Sequence, residues 1–232
     1  MHISFDFDYT LADSSEGAVI CAKYALRSME KAECSDVEIK KTIGLSLDET
    51  YKQLVGDYSD DDLTTFSSLF LTKADEVVVD CIKFYESTKD SLVELKENGH
   101  YISIVSTKYT KRIMAALERD GLVDLIDEVI GGDKVKDSKP SPEGLNMAIR
   151  TSKIDKNKTL YVGDSKSDGL AARAAGVGYV AVLTGMTARD DLNEFNPIEI
   201  IDDLKELNQV VRNFCSTNEI KQPVASDQDK LG

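Results

Sequence analysis

The 232-residue chain has no tryptophan and two histidines, His2 and His100. So few imidazoles leave almost no room for a histidine-ligated zinc centre or a Ser-His-Asp triad. Cys21, Cys34, Cys81 and Cys215 are scattered without a Cys-x-x-Cys pair, which argues against a disulfide framework or a zinc knuckle. Reduced, buried thiols are the expectation. Positive charge is also short, with 28 Lys and Arg against 42 Asp and Glu and a net charge of -14. Such a balance disfavours nucleic acid and anionic membrane as partners. No apolar run approaches the roughly 18 residues that cross a bilayer, and Asp6 stands where a secretory leader would be basic and then apolar. A cytoplasmic protein is expected, with chemistry drawn from carboxylates, hydroxyls and lysines.

The rest of the composition, 41% hydrophobic and 30% charged, suits one large globular domain or two small ones. Apolar residues alternate at Ile3, Phe5 and Phe7, which predicts a buried opening strand with Asp6 and Asp8 at or just past its end. Val19, Ala22, Leu26 and Met29 then recur at helical spacing. Ser35 with Glu38 and Ser46 with Glu49 fit capping boxes, Gly44 and Gly56 mark helix stops, and Ser59 caps a longer helix. Residues 14–84 therefore read as all-helical. Beyond them helix and strand alternate, with strands expected over 101–106, 128–131, 159–163 and 179–183. One intervening helix has Ser141 as its cap and Pro142 at its first position, and a last helix carries Leu204, Leu207, Val211 and Phe214. This pattern predicts an α/β fold, a Rossmann-like parallel sheet core (1–13 and 85–215) with an inserted helical cap (14–84). Residues 216–232, polar and aperiodic, are expected to form a flexible tail.

Ligands of open parallel sheets lie beyond the carboxyl ends of the strands. Four polar signals fall there: Asp6 and Asp8 with Thr10, then Ser106-Thr107-Lys108, then Lys139 before its helix, and Asp164 with Asp168. Singly, each has a bland reading as a solvated turn, a helix cap or a surface lysine. All four at one sheet edge would be a rare coincidence. Carboxylates held within about 4 to 5 Å repel by several kcal/mol per pair at an effective dielectric near 20, so they take up protons or gather round a cation. Oxygen donors without His or Cys point to magnesium. A carboxylate beside such an ion can attack phosphorus once the phosphate charge is neutralised, with Lys139 and Ser106 as available donors.

The strings Phe5-Asp6-Phe7-Asp8-Tyr9-Thr10-Leu11, Val105-Ser106-Thr107-Lys108, Lys139-Pro140-Ser141-Pro142 and Gly163-Asp164-Ser165-Lys166-Ser167-Asp168 resemble, in order, the four motifs of the haloacid dehalogenase-like phosphohydrolase superfamily. The likeness extends from about Ile3 to Leu207 and is closest to the phosphoglycolate phosphatase-like branch, which has a helical cap between the first two motifs. It implies a magnesium-dependent phosphatase acting on a small phosphorylated metabolite. Asp6 would be the nucleophile and Asp8 the general acid and base; Asp6, the Asp8 carbonyl and Asp164 would hold Mg2+, with Asp168 orienting Lys139 or a metal-bound water. Ser106 and Lys139 would grip the phosphoryl oxygens, and Thr10, Thr107, Lys108 and Lys41 would contact substrate. Lys40 and Lys52 flank the same stretch of the cap as Lys41, where a solvated face is the alternative reading. Tyr9 and Thr107 depart from the family's frequent Gly and Asn. A phosphosugar mutase or pyrophosphatase of the same superfamily, and a phospho-receiver signalling domain, are the competing readings. A monomer or homodimer is expected.

Overall fold

The computed structural model describes residues 1–220. The chain opens with β1 (His2–Phe5) and turns into the short β2 (Ala12–Asp13). Four helices follow: α1 (Ser15–Ser28), α2 (Asp36–Lys40), α3 (Leu47–Val55) and α4 (Asp60–Cys81). β3 (Lys83–Phe84) then pairs antiparallel with β2, so the helical insert leaves and rejoins the chain through one two-stranded ribbon. From there helices and strands alternate, as α5 (Glu86–Glu97), β4 (Tyr101–Val105), α6 (Thr110–Arg119), β5 (Glu128–Ile130) and α7 (Glu143–Ser152). β6 (Thr159–Gly163), α8 (Lys166–Ala175), β7 (Gly178–Val182), α9 (Arg189–Asn193), β8 (Glu199–Ile201) and α10 (Leu207–Ile220) complete the described chain.

The main sheet runs β5-β4-β1-β6-β7-β8, and every pairing in it is parallel. Counting only these strands, the order is 3-2-1-4-5-6, the doubly wound arrangement whose ligand crevice opens where the winding reverses. That point lies between β1 and β6, with Phe5 in register with Val162. Both faces of β1 are buried, and its polar residues are satisfied inside the sheet: Ser103 Oγ donates to Ser4 Oγ at 3.0 Å, and His2 Nε2 lies 2.8 Å from Ser103 Oγ. One face packs on α5, α6 and α10 through Leu92, Leu95, Ile113, Leu117, Leu207 and Val211. The other packs on α7, α8 and α9, where alanines 148, 171 and 172 let the helices approach closely.

The insert has a core of its own, built from Val19, Leu26, Ile39, Tyr51, Leu63 and Phe66. Ser35 and Ser46 form the expected capping boxes, and Ser59 forms another with Asp62. The lower part of α4 belongs to the main core instead, through Ala74 and Val78.

Some expectations need correction. β1 stops at Phe5, because the Phe7 carbonyl accepts the amides of Thr10, Leu11 and Ala12 and turns the chain. α7 starts at Glu143, one residue later than expected; Pro142 is its cap position, and Ser141 Oγ accepts from the Glu143 amide at 3.3 Å. β8 and α9 were not legible in the sequence pattern. Residues 216–220 continue α10 rather than starting a tail, with the Ser216 hydroxyl donating to the Arg212 carbonyl at 3.0 Å. The remainder of the expected tail lies outside the described residues. Among the described residues no helix is long and apolar enough to cross a membrane.

Candidate active site

Parallel pairing delivers Asp6, Ser106 and Asp164 to the same edge, each one residue past the end of β1, β4 or β6. The Asp6 amide is fixed to the Val162 carbonyl at 2.9 Å. Lys139 arrives from the loop before α7, and Asp168 from the first turn of α8. All five are buried, Asp168 completely.

Asp6, Asp164 and Asp168 bring carboxylate oxygens within 4.8 Å of one another. Their present partners separate their capacities. Asp168 is saturated: Oδ1 accepts from Lys139 Nζ at 2.6 Å and lies 3.1 Å from Tyr161 OH, while Oδ2 accepts from the Ser165 amide and hydroxyl at 3.0 and 2.6 Å. Asp6 Oδ1 lies 2.8 Å from Lys139 Nζ as an ion pair without hydrogen-bond geometry, which leaves it buried with no hydrogen bond. Asp164 Oδ1 accepts from Thr10 Oγ1 at 3.3 Å. Glycine is required on both sides of this cluster. A Cβ at Gly185 would come within 1.8 Å of Asp164 Oδ2, and one at Gly163 within 2.5 Å of the Asp168 carboxyl carbon.

Burial pushes the Asp6 carboxyl up to about 6, with Lys139 pulling against it and Asp168 and Asp8 adding to it. Burial, then Asp168 and Asp6, raise Asp164 well above the ordinary carboxylate range. Burial disfavours the Lys139 charge, but Asp168 and Asp6 outweigh it and hold the ammonium above its usual range. Three carboxylates face the one ammonium of Lys139, and the excess is of the size a divalent cation removes. A buried Asp6 oxygen that has the Lys139 ammonium beside it but no hydrogen bond, together with a set of oxygen-only donors, fits a hard cation such as magnesium.

Asp8 is turned away from this cluster. Its Oδ1 takes the Ser14 hydroxyl and Lys108 Nζ, the latter at 2.9 Å, and neither contact uses Oδ2. Asp8, Thr107 and Lys108 also line a cavity of about 330 Å3 between the sheet edge and the helical insert. Ser106 Oγ accepts from the Lys108 amide at 3.3 Å.

The expected site residues thus fall into three groups. Asp6, Asp8, Ser106, Lys139, Asp164 and Asp168 gather at one edge. Thr10, expected at the substrate, is fully buried and engaged by Asp164. Lys41 is exposed and does not line the cavity, because α2 and the turn after it direct Ile39 and Thr42 inward. Lys40 and Lys52 do not line it either. Sequence reasoning missed Ser14 as a partner of Asp8, Tyr161 as a partner of Asp168, and Arg112 in the cavity wall. Only Arg112 had a signal, being a charged residue on the apolar face of α6 beside Ile113, Ala116 and Leu117.

Comparison with known proteins gives the same outline. A phosphoglycolate phosphatase of Vibrio parahaemolyticus is 29% identical over 220 residues, which cover 90% of this chain and 95% of the relative. A pyrophosphatase PpaX of Bacillus velezensis is 26% identical over 205 residues, covering 88% and 93%. A solved structure described as a haloacid dehalogenase-like hydrolase of Bacteroides fragilis is 38% identical, with a TM-score of 0.86 over 88% of this chain and 98% of the other. The family model for haloacid dehalogenase-like hydrolases matches residues 3–182, a span from β1 to β7 that takes in every carboxylate of the cluster. With its motifs placed as the doubly wound sheet requires, the chain belongs to the haloacid dehalogenase-like hydrolases.

Proposed function

We propose that this chain is a phosphatase that cleaves small phosphate monoesters through an aspartyl-phosphate, with residues 14–84 acting as a cap over the site. The observation that carries this reading is the division between the two aspartates of the first motif. Asp6 has a buried oxygen without a hydrogen bond beside the Lys139 ammonium, whereas Asp8 is held by Ser14 and Lys108 through Oδ1 alone.

Asp6, Asp164 and the Asp8 carbonyl would hold Mg2+, which when bound neutralises phosphate charge and orients its oxygens. Lys139 and Ser106 take the remaining phosphoryl oxygens. An Asp6 oxygen attacks phosphorus as the ester P–O bond breaks, and Asp8 Oδ2 passes its proton to the departing alcohol oxygen. Asp8 Oδ2 then takes a proton from water, whose oxygen displaces Asp6 from phosphorus and yields inorganic phosphate. Asp168 keeps Lys139 aimed between the two carboxylates. The relatives' names support hydrolysis, and the repeated use of Asp8 in it separates this reading from a receiver domain that merely retains phosphate.

Single-turnover kinetics test the assignment. Asp6→Asn should form no phospho-enzyme from any ester. Asp8→Asn should slow transfer from an alkyl phosphate far more than from 4-nitrophenyl phosphate, whose leaving group needs little protonation, and phospho-enzyme should then accumulate. Equal slowing for both esters without a trapped intermediate would remove Asp8 from the acid role. Turnover should require magnesium, tolerate manganese and be inhibited by calcium, whose looser shell misplaces nucleophile and phosphate. Activity that survives exhaustive chelation would overturn the metal assignment.

A further inference from the structure

Phosphoglycolate and pyrophosphate each carry a second anionic group beside the phosphoryl group that is cleaved. A site that selects for such a group needs a cation free to meet it. The charged residues lining the cavity are Asp8, Asp48, Lys108 and Arg112, and both cations are already engaged. Lys108 Nζ is 2.9 Å from Asp8 Oδ1. Arg112 is only 6% exposed; its Nη2 donates to Asp75 Oδ1 at 2.6 Å and to the Leu71 carbonyl at 3.0 Å, and its Nε donates to Asp75 at 3.2 Å. An incoming carboxylate would have to share Lys108 with Asp8 or Arg112 with Asp75, and would also meet the Asp48 charge.

The remaining wall is apolar along α1 and α4 and carries uncharged hydroxyls elsewhere, among them Ser14, Ser46, Thr107, Tyr109 and Ser138. Ala18 and Ala22 of α1 face Phe70, Ala74 and Val78 of α4, with Ile39 of α2 beside them. The Thr42 and Thr50 hydroxyls donate to the carbonyls of Ile39 and Thr42, and Ser67 Oγ, buried without a hydrogen-bond partner, offers a neutral contact. A volume of about 330 Å3 has far more room than the two carbons of glycolate need.

Resting on the phosphatase reading above, we infer that the organic part of the substrate is uncharged and largely apolar, an alkyl or aryl group seated against α1 and α4. The phosphoryl group keeps its place at Asp6, and the cavity selects what hangs from it. The small residues of α1 make the space, while the Asp75–Arg112 pair removes the charge that would have attracted an acid.

The test is kcat/KM with magnesium for ethyl, butyl, hexyl and 2-phenylethyl phosphates, set against phosphoglycolate, pyrophosphate and 4-nitrophenyl phosphate. Leaving-group basicity is nearly constant along the alkyl series, so the slope reads contacts made by the chain. We expect kcat/KM to rise by up to about fourfold per methylene and hexyl phosphate to exceed phosphoglycolate by more than tenfold. Ala18→Leu, which fills the cavity, should flatten the slope. Asp75→Asn, which frees Arg112 from a solvent-accessible partner, should raise the ratio of phosphoglycolate to hexyl phosphate turnover several-fold. A flat or falling series with phosphoglycolate or pyrophosphate preferred would overturn the inference and leave the phosphatase reading standing. If no compound, including 4-nitrophenyl phosphate, releases phosphate, the phosphatase reading fails and the inference fails with it.

Discussion

The sheet edge and the helical insert treat charge in opposite ways. At the edge, Asp6, Asp164, Asp168 and Lys139 are buried against one another, and burial, reinforced by neighbouring carboxylates, leaves two carboxyls above their ordinary range. In the cavity wall Lys108 is paired with Asp8 and Arg112 with Asp75, and apart from Asp48 the remaining side chains are uncharged. Burying like charges is costly unless something answers them, so the edge is set to gather a cation and a phosphate. On the proposed reading, one region would do chemistry by electrostatic demand and the other would discriminate by shape and by a lack of free charge.

Removing the cation on which the edge depends should break this contrast most strongly. Lys139→Met leaves Asp6 and Asp168 without their ammonium, and we expect a stability loss of about 3–5 kcal/mol in urea melts without added metal, with kcat lower by roughly 10³. Adding Asp168→Asn should return much of the stability and none of the rate; a single variant as stable and active as the parent would show the edge to be insensitive to charge. The insert should respond to volume instead. Phe66→Ala, at a fully buried ring tilted against those of Tyr51 and Phe70, should cost about 3–5 kcal/mol while kcat for 4-nitrophenyl phosphate stays within tenfold of the parent wherever the protein is folded.

A smaller effect comes from beneath the sheet edge. Burial, aided by the nearby amino terminus, lowers His2 to about 4, against an opposing pull from Asp127. The unfolded chain therefore binds a proton between about pH 6.5 and 4 that the folded chain refuses, so this contribution is complete above 6.5 and is lost as pH falls toward 4. We expect about 2 kcal/mol less stability at pH 5 than at pH 7 from this group. Asp6 and Asp164 act in the opposite sense over an overlapping range, so the measurement is the difference between the parent and His2→Gln at the two pH values. Equal pH dependence in both would remove His2 as the source. The smallest change is Ser46→Ala, which opens the capping box of α3 and should cost about 1 kcal/mol; no measurable loss would mean that α3 is held by Tyr51 and Leu54 alone.

The same contrast explains what could be read in the sequence. Asp6, Ser106, Lys139, Asp164 and Asp168 were legible because a parallel sheet places the residues after its strands at one edge, and this chemistry tolerates few residue types there. The helices of the insert were legible from apolar spacing and from Ser-to-Glu caps. Which side chains face the cavity was not. Lys41, in the turn after α2, and Arg112, on α6, are both cations near the site, yet Lys41 is exposed and Arg112 lies in the wall. Only the packing of α6 against α4 separates them, and that contact joins residues 37 positions apart. Thr10 was misplaced for a related reason, since its hydroxyl partner Asp164 is 154 residues away. β8 is three residues long, too short for a period-two pattern to declare itself.

The central position of β1 bears on how the molecule is made. Its neighbours are β4 and β6, so His2 must find Tyr101 on one side and Thr159 on the other before the middle of the sheet exists. Loops of that length are slow to close, and at about 5–20 residues per second the ribosome spends many seconds between synthesising the first strand and the second of its partners. Before β4 emerges, the four helices after β2 can build their own core while β1 has no partner strand. Asp6 thus leaves the ribosome well before Lys139 and Asp164, and it reaches its place only once β6 has joined β1.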